Sequence, residues 1–144
     1  MKRKMIGILL LVNLSGFWAA GCSPSPSAGS IQLASLDKMP EEVQSAAPAV
    51  RESYQFAVEN PEVLKEVPCY CGCGGMGHTS NYSCYVASEE SNEDPVFDGH
   101  ALGCSICVDI TQDTMRMLEE GKPLSEIKLE IDAIYSSFGP SNMP

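Results

Sequence analysis

Residues 68 to 99 cannot fold by burying apolar side chains alone. The stretch has too much Gly, Ser and Asn for a long helix. Only Tyr82-Ser83-Cys84-Tyr85-Val86 has the make-up of a short extended piece. An irregular run of about 30 residues is unusual in a compact domain unless something holds it. The same run contains Cys69, Cys71, Cys73 and Cys84, and Cys104 and Cys107 follow closely. The chain's two histidines, His78 and His100, lie among these cysteines. A metal ion or a set of disulfides is therefore expected to fold this part of the chain.

The N-terminus bears on that choice through the compartment it implies. Lys2, Arg3 and Lys4 are basic, residues 5–20 are mostly apolar, and Ala19-Ala20-Gly21-Cys22 follows. Charge, apolar run and small residues in that order are a signal-peptide layout, and the cysteine directly after makes it a lipoprotein signal. One departure is Ala19, where such signals usually carry Leu. The alternative is an ordinary secretory signal or an uncleaved anchor. The apolar run is interrupted by Asn13, Ser15 and Gly16 and is shorter than the ~20 residues of a bilayer span. Residues 1–21 are read as the signal, with Cys22 diacylated (palmitate or similar), because one acyl chain alone anchors only marginally. The protein is then held at the outer face of the cell membrane. Disulfides are permitted there.

The formal charge is −10, and three of the nine basic residues lie in the signal. The remaining chain carries nineteen acidic residues against six basic ones. Such a surface repels phosphate backbones, so nucleic-acid binding is excluded as an expectation. It draws cations only weakly.

Residues 22–38 open with Cys22, continue with Ser-Pro-Ser-Pro and carry no aromatic residue, as a flexible tether does. Residues 39–144 are expected to form one mainly α domain. It would have three to four helices, with the long Cys/Gly-rich loop packed on them. Pro40-Glu41-Glu42 opens a helix, and Pro48 kinks or restarts it. Asn60 caps a short helix through Leu64 and Val67 that stops at Pro68. Asp98 caps a helix from about Gly99 to Glu120, which stops at Gly121. Pro123 opens a last helix with Leu124, Ile127, Ile131, Ile134 and Tyr135 on one face. The acids at Glu89, Glu90, Glu93, Asp94 and Asp98 lack the spacing and glycine of a calcium loop and are read as a solvated loop.

On a single helix, His100, Cys104 and Cys107 stand at i, i+4 and i+7 and share a face. Cys69, Cys71 and Cys73 alternate, and in an extended stretch alternation puts side chains on one side. Soft sulfur donors select soft ions. Only Cys104 and Cys107 have the spacing of a zinc knuckle. The Cys-x-Cys-x-Cys run suits Cu(I) held by bridging thiolates better, so Cu(I) is preferred over Zn(II). The candidate ligands are Cys69, Cys71, Cys73, Cys84, His100, Cys104, Cys107 and His78, with Met76 as a further thioether. Tyr70, Tyr82 and Tyr85 are expected to cover the site. Met115 and Met117 are expected in the core.

Two other readings stand beside this one. Six cysteines in an exported domain can form a disulfide scaffold, although three cysteines spaced by two need partners from different sides. Cys104-Ser105-Ile106-Cys107 could act as a thiol–disulfide oxidoreductase, but it lacks a thioredoxin-like βαβ context. Nothing in the chain resembles a Ser-His-Asp set, a phosphate loop or a paired-carboxylate motif.

Pro68-Cys69-Tyr70-Cys71-Gly72-Cys73, Gly77-His78, Cys84, Asp98-Gly99-His100 and Cys104-x-x-Cys107 together resemble the PCYCGC-motif lipoproteins of Gram-positive bacteria. The likeness covers about residues 40 to 138. It implies a lipoprotein signal, a small exported domain, and six cysteines and two histidines that belong together. It implies no activity. The expectation is thus a lipid-anchored protein that stores, delivers or sequesters Cu(I), exchanging it with a donor or acceptor protein.

Overall fold

The computed structural model describes residues 31–89 and 94–144. The segment read as a signal, Cys22 and the first part of the stretch read as tether lie outside the described residues, as do residues 90–93. Among the described residues no helix is long and apolar enough to cross a membrane.

The mainly α architecture is present. The described residues hold six α-helices, three short 3-10 turns and one two-stranded sheet. Pro40 leads into α1 (Glu41–Gln44), and Pro48 does not kink that helix but starts a new one, α2 (Pro48–Glu59). Proline suits that first position because it has no N–H to leave unpaired. α2 buries Ser53, Tyr54, Phe56 and Ala57. α3 (Pro61–Leu64) follows directly. Asn60 stands at its N-cap position, but its side chain makes no capping bond. Its Nδ2 instead donates to Phe56 O and Gln32 O, each at 2.9 Å, closing the end of α2. The second of these bonds ties residue 32 to the domain. Ala34 is buried, its N–H donates to Gln55 O, and its carbonyl accepts from Gln55 Nε2. Packing against α2 therefore begins ahead of residue 39, within the stretch read as tether.

β1 (Val86–Ser88) and β2 (Val96–Phe97) pair antiparallel, with Val86 opposite Phe97 and Ser88 opposite Val96. This ribbon returns the chain to Asp98, whose N–H donates to Tyr85 O at 2.8 Å. The ribbon thus places Asp98 and His100 beside the cysteine segment.

The single helix expected from Gly99 to Glu120 is two helices. α4 (His100–Gly103) ends at Cys104, which is extended at φ −123° and ψ 102°, and α5 (Ser105–Glu119) starts after it. A residue with that backbone cannot continue the i to i+4 hydrogen-bond ladder. The common helical face assumed for His100, Cys104 and Cys107 does not exist.

α5 packs against both α2 and α6 (Leu124–Tyr135). It buries Cys107, Val108, Ile110, Thr111, Thr114 and Met117. α6 turns Ile127, Ile131 and Tyr135 inward, whereas Ile134 faces out, 47 % exposed. Burying side chains such as Phe56, Ile110, Ile127 and Ile131 contributes about 1.5–3 kcal/mol each. This three-helix core is the platform on which the cysteine segment lies.

Candidate metal centre

Three separate pieces of chain meet at one point. Cys69 and Cys71 lie in the irregular stretch after Pro68. Gly72 then takes φ +83°, a conformation that side chains resist, and turns the chain into a 3-10 turn that begins at Cys73. A second 3-10 turn (Tyr82–Cys84) brings Cys84, and the first turn of α5 brings Cys107.

The sulfurs of Cys69, Cys71 and Cys107 form a nearly equilateral triangle. Cys69–Cys71 and Cys69–Cys107 are 3.5 Å apart and Cys71–Cys107 is 3.6 Å. Tetrahedral bonds of about 2.3 Å to one ion would set sulfurs about 3.8 Å apart. Cys73 Sγ and Cys84 Sγ are 3.8 Å apart. His100 Nε2 is 3.3 Å from Cys71 Sγ. The ring of His78 stands edge-on to that of His100 with centroids 5.2 Å apart. Three groups of donors each have all ligand atoms within 4.8 Å of one another: Cys69, Cys71, Cys73 and Cys84; Cys71, Cys84, His100 and Cys107; and Cys73, His78, Cys84 and His100. The cluster can hold a metal ion.

Seven of the eight expected ligands are thus brought together. Cys104 is the exception and belongs to none of these groups. It is half-buried on another face, lining a surface depression with Val50, Leu102 and Val108. The break between α4 and α5 put it there. Gly103, a poor helix former at the end of α4, is the one weak sequence signal for that break. Met76 is 61 % exposed. Tyr70, Tyr82 and Tyr85 are all buried; Met117 is in the core as expected, whereas Met115 is only partly buried against it.

A polar network fixes Cys84 against Cys107. Asn81 is fully buried, its Nδ2 donates to Cys107 O at 3.2 Å and its Oδ1 accepts from the Thr111 hydroxyl at 2.7 Å. The Tyr85 hydroxyl lies 2.8 Å from Cys107 O and 2.7 Å from Thr111 Oγ1. Asn81 and Tyr85 flank the turn that carries Cys84, so the network sets the position of that sulfur relative to α5. Buried polar groups so fully paired resist displacement, because any one left alone is costly.

Sequence reasoning missed the C-terminal strap. Asn142 Oδ1 accepts from Cys69 N–H at 2.7 Å, and its Nδ2 donates to Ser80 O at 3.0 Å and to Cys73 Sγ at 3.5 Å. Its own N–H donates to Cys69 O at 3.0 Å. Gly139 lies so close that an added Cβ would sit 2.8 Å from Tyr70 O. A terminal Asn after Gly-Pro carries no periodicity or motif to mark it. Asn142→Ala is expected to lower stability by about 1–3 kcal/mol through the buried Cys69 N–H and Ser80 carbonyl it strands. It should also weaken metal affinity by about 10–100-fold, as loss of outer partners does. Thermal unfolding and a competition titration read the two effects separately.

The electrostatics of the cluster favour one thiolate. Cys69 is pulled down to about 2 by S–H donors from Cys107 and Cys84, against its burial. Cys107 is raised well above the thiol range by those same bonds to Cys69 and Cys84, and by burial. Burial, then the bond to Cys73 and the Cys69 charge, raises Cys71. For Cys84 the Cys107 bond lowers the thiol, but the bond to Cys69, burial and the Cys69 charge outweigh it. A fully buried thiol held protonated is the reverse of a reactive one. The oxidoreductase reading for Cys104 and Cys107 therefore fits poorly. A disulfide scaffold fits poorly too, because three mutually adjacent sulfurs can form one bridge and leave one over. The six cysteines among the described residues are free.

No curated protein and no solved structure matches the chain significantly. A family model described as a protein of unknown function with a PCYCGC motif matches residues 21–142, a span that runs from beside Cys22 to the Asn142 strap, and the chain belongs to that family.

Proposed function

We propose that this protein is an extracytoplasmic soft-metal binder, anchored to the membrane by lipid on Cys22. The observation that carries the reading is the sulfur triangle of Cys69, Cys71 and Cys107, whose edges match a shared ion better than pairwise bonds. The donor groups contain sulfur and imidazole and no carboxylate, which speaks for Cu(I) or Zn(II) and against calcium or magnesium. Cu(I) is favoured, because thiolates outnumber imidazoles and crowd closely enough to bridge ions. Zn(II) is the alternative. The buried donors hold an ion out of water, which suits storage, delivery or sequestration, with a donor or acceptor protein as the exchange partner.

The test is anaerobic metal analysis with a free-thiol count on residues 23–144, which carry six of the seven cysteines. Copper or zinc at whole-number stoichiometry, with six thiols titratable after its removal, supports the reading and names the ion. A metal-free protein with no free thiols and a mass six hydrogens light sinks it.

A further inference from the structure

Cys84 occurs in all three donor groups of the cluster. Cys69, Cys71 and Cys84 lie within 4.8 Å of one another, as do Cys71, Cys84 and Cys107. With Cys69 Sγ 3.5 Å from Cys107 Sγ, the four sulfurs of Cys69, Cys71, Cys84 and Cys107 form one mutually close set. Cys73, His78, Cys84 and His100 form another. The two sets share only Cys84 and together use all seven converging donors.

We propose that the centre is binuclear: an all-sulfur pocket of Cys69, Cys71, Cys84 and Cys107 and a mixed pocket of Cys73, His78, Cys84 and His100, bridged by the Cys84 thiolate. This rests on the soft-metal reading above and extends it. Seven donors are too many for one ion, since Zn(II) takes four and Cu(I) no more than four. A single sulfur shared between two ions brings the count to four each.

An independent observation points to the second ion. His78 is buried, and its Nδ1 has no hydrogen-bond partner. Its other nitrogen, Nε2, lies 3.4 Å from Asp98 Oδ2. The carboxylate assigns the ring proton to Nε2, which leaves the Nδ1 lone pair pointing into a dry interior with nothing to accept. Such a group is destabilising unless a ligand takes it. Histidines that bind metal characteristically donate their other N–H to a carboxylate. Asp98 also accepts from the backbone N–H of His100 through Oδ1 at 2.7 Å. One carboxylate thereby orients His78 and fixes the start of α4 that carries His100. A one-ion centre at the sulfur triangle would leave this arrangement without a purpose.

The test uses the full chain, expressed with its leader and purified under nitrogen. It is titrated with Cu(I), and in parallel with Zn(II), and read by native mass spectrometry. Two ions per chain are expected, and His78→Ala should hold one, with the first ion bound as in the parent. X-ray absorption on the loaded parent should show a metal–metal shell, a readout that needs no variant to fold. One ion per chain at saturation, or two ions in His78→Ala at undiminished affinity, overturns the binuclear centre while the soft-metal reading stands. Failure to bind either ion overturns both.

Discussion

Cys107→Ser is expected to weaken soft-metal binding by about 100-fold or more, and Cys104→Ser to leave it unchanged. The two residues share one Cys-x-x-Cys and look equivalent in sequence. Their surroundings differ. Cys107 is fully buried, with its sulfur 3.5 Å from that of Cys69 and 3.6 Å from that of Cys71. Removing it takes away a direct donor, and losing even an outer partner of a ligand reduces affinity by about 10–100-fold. Cys104 lies in none of the donor groups. Serine fills nearly the same volume as cysteine, so both variants should keep the parent's far-UV circular dichroism. Competition against a chelator of known affinity measures the difference. Equal losses in both variants would mean that Cys104 also binds, as a continuous helix from Gly99 would have placed it.

That contrast shows where the sequence was legible and where it was not. The helices were readable because proline marks their starts and apolar spacing marks their buried faces. Pro48, Pro61 and Pro123 each stand at or just before a helix start, and Ile127 and Ile131 point inward as their spacing requires. The donors were readable because six of the chain's seven cysteines and both its histidines fall between residues 69 and 107. Relations between distant segments were not readable. The Cys104 break depends on one extended residue inside a run whose composition is otherwise helical. Asn142 depends on the last residues crossing back over Cys69 and Ser80, more than sixty positions away. Asp98 was expected as a helix cap, and its Oδ1 does accept from His100 N–H. That its other oxygen faces His78 follows only from the β1–β2 ribbon.

Stripping the metal is expected to lower the melting temperature by about 15 °C or more while leaving most helical signal in place at low temperature. An ion that binds only the folded state stabilises by about 4 kcal/mol when free metal exceeds Kd by about 1,000-fold. For a domain of this size each kcal/mol is worth about 4–8 °C. The loss should be uneven. Phe56, Ile110, Met117, Ile127 and Ile131 hold α2, α5 and α6 together without any contribution from sulfur. The motif segment has Tyr70, Tyr82 and Tyr85 to bury, but only two 3-10 turns for internal structure. Hydrogen exchange should therefore rise across residues 68–85 and at the Asn142 strap, and change little in the middle of α5. The sign with pH follows from the thiols. Cys71, Cys84 and Cys107 are held protonated in the empty fold, so loading expels their protons, and the stabilisation by metal grows as pH rises. A melting temperature that does not respond to metal at any pH, with uniform exchange in both forms, would show that the cluster does not take up an ion in the native state. The seven converging side chains would then need a different account.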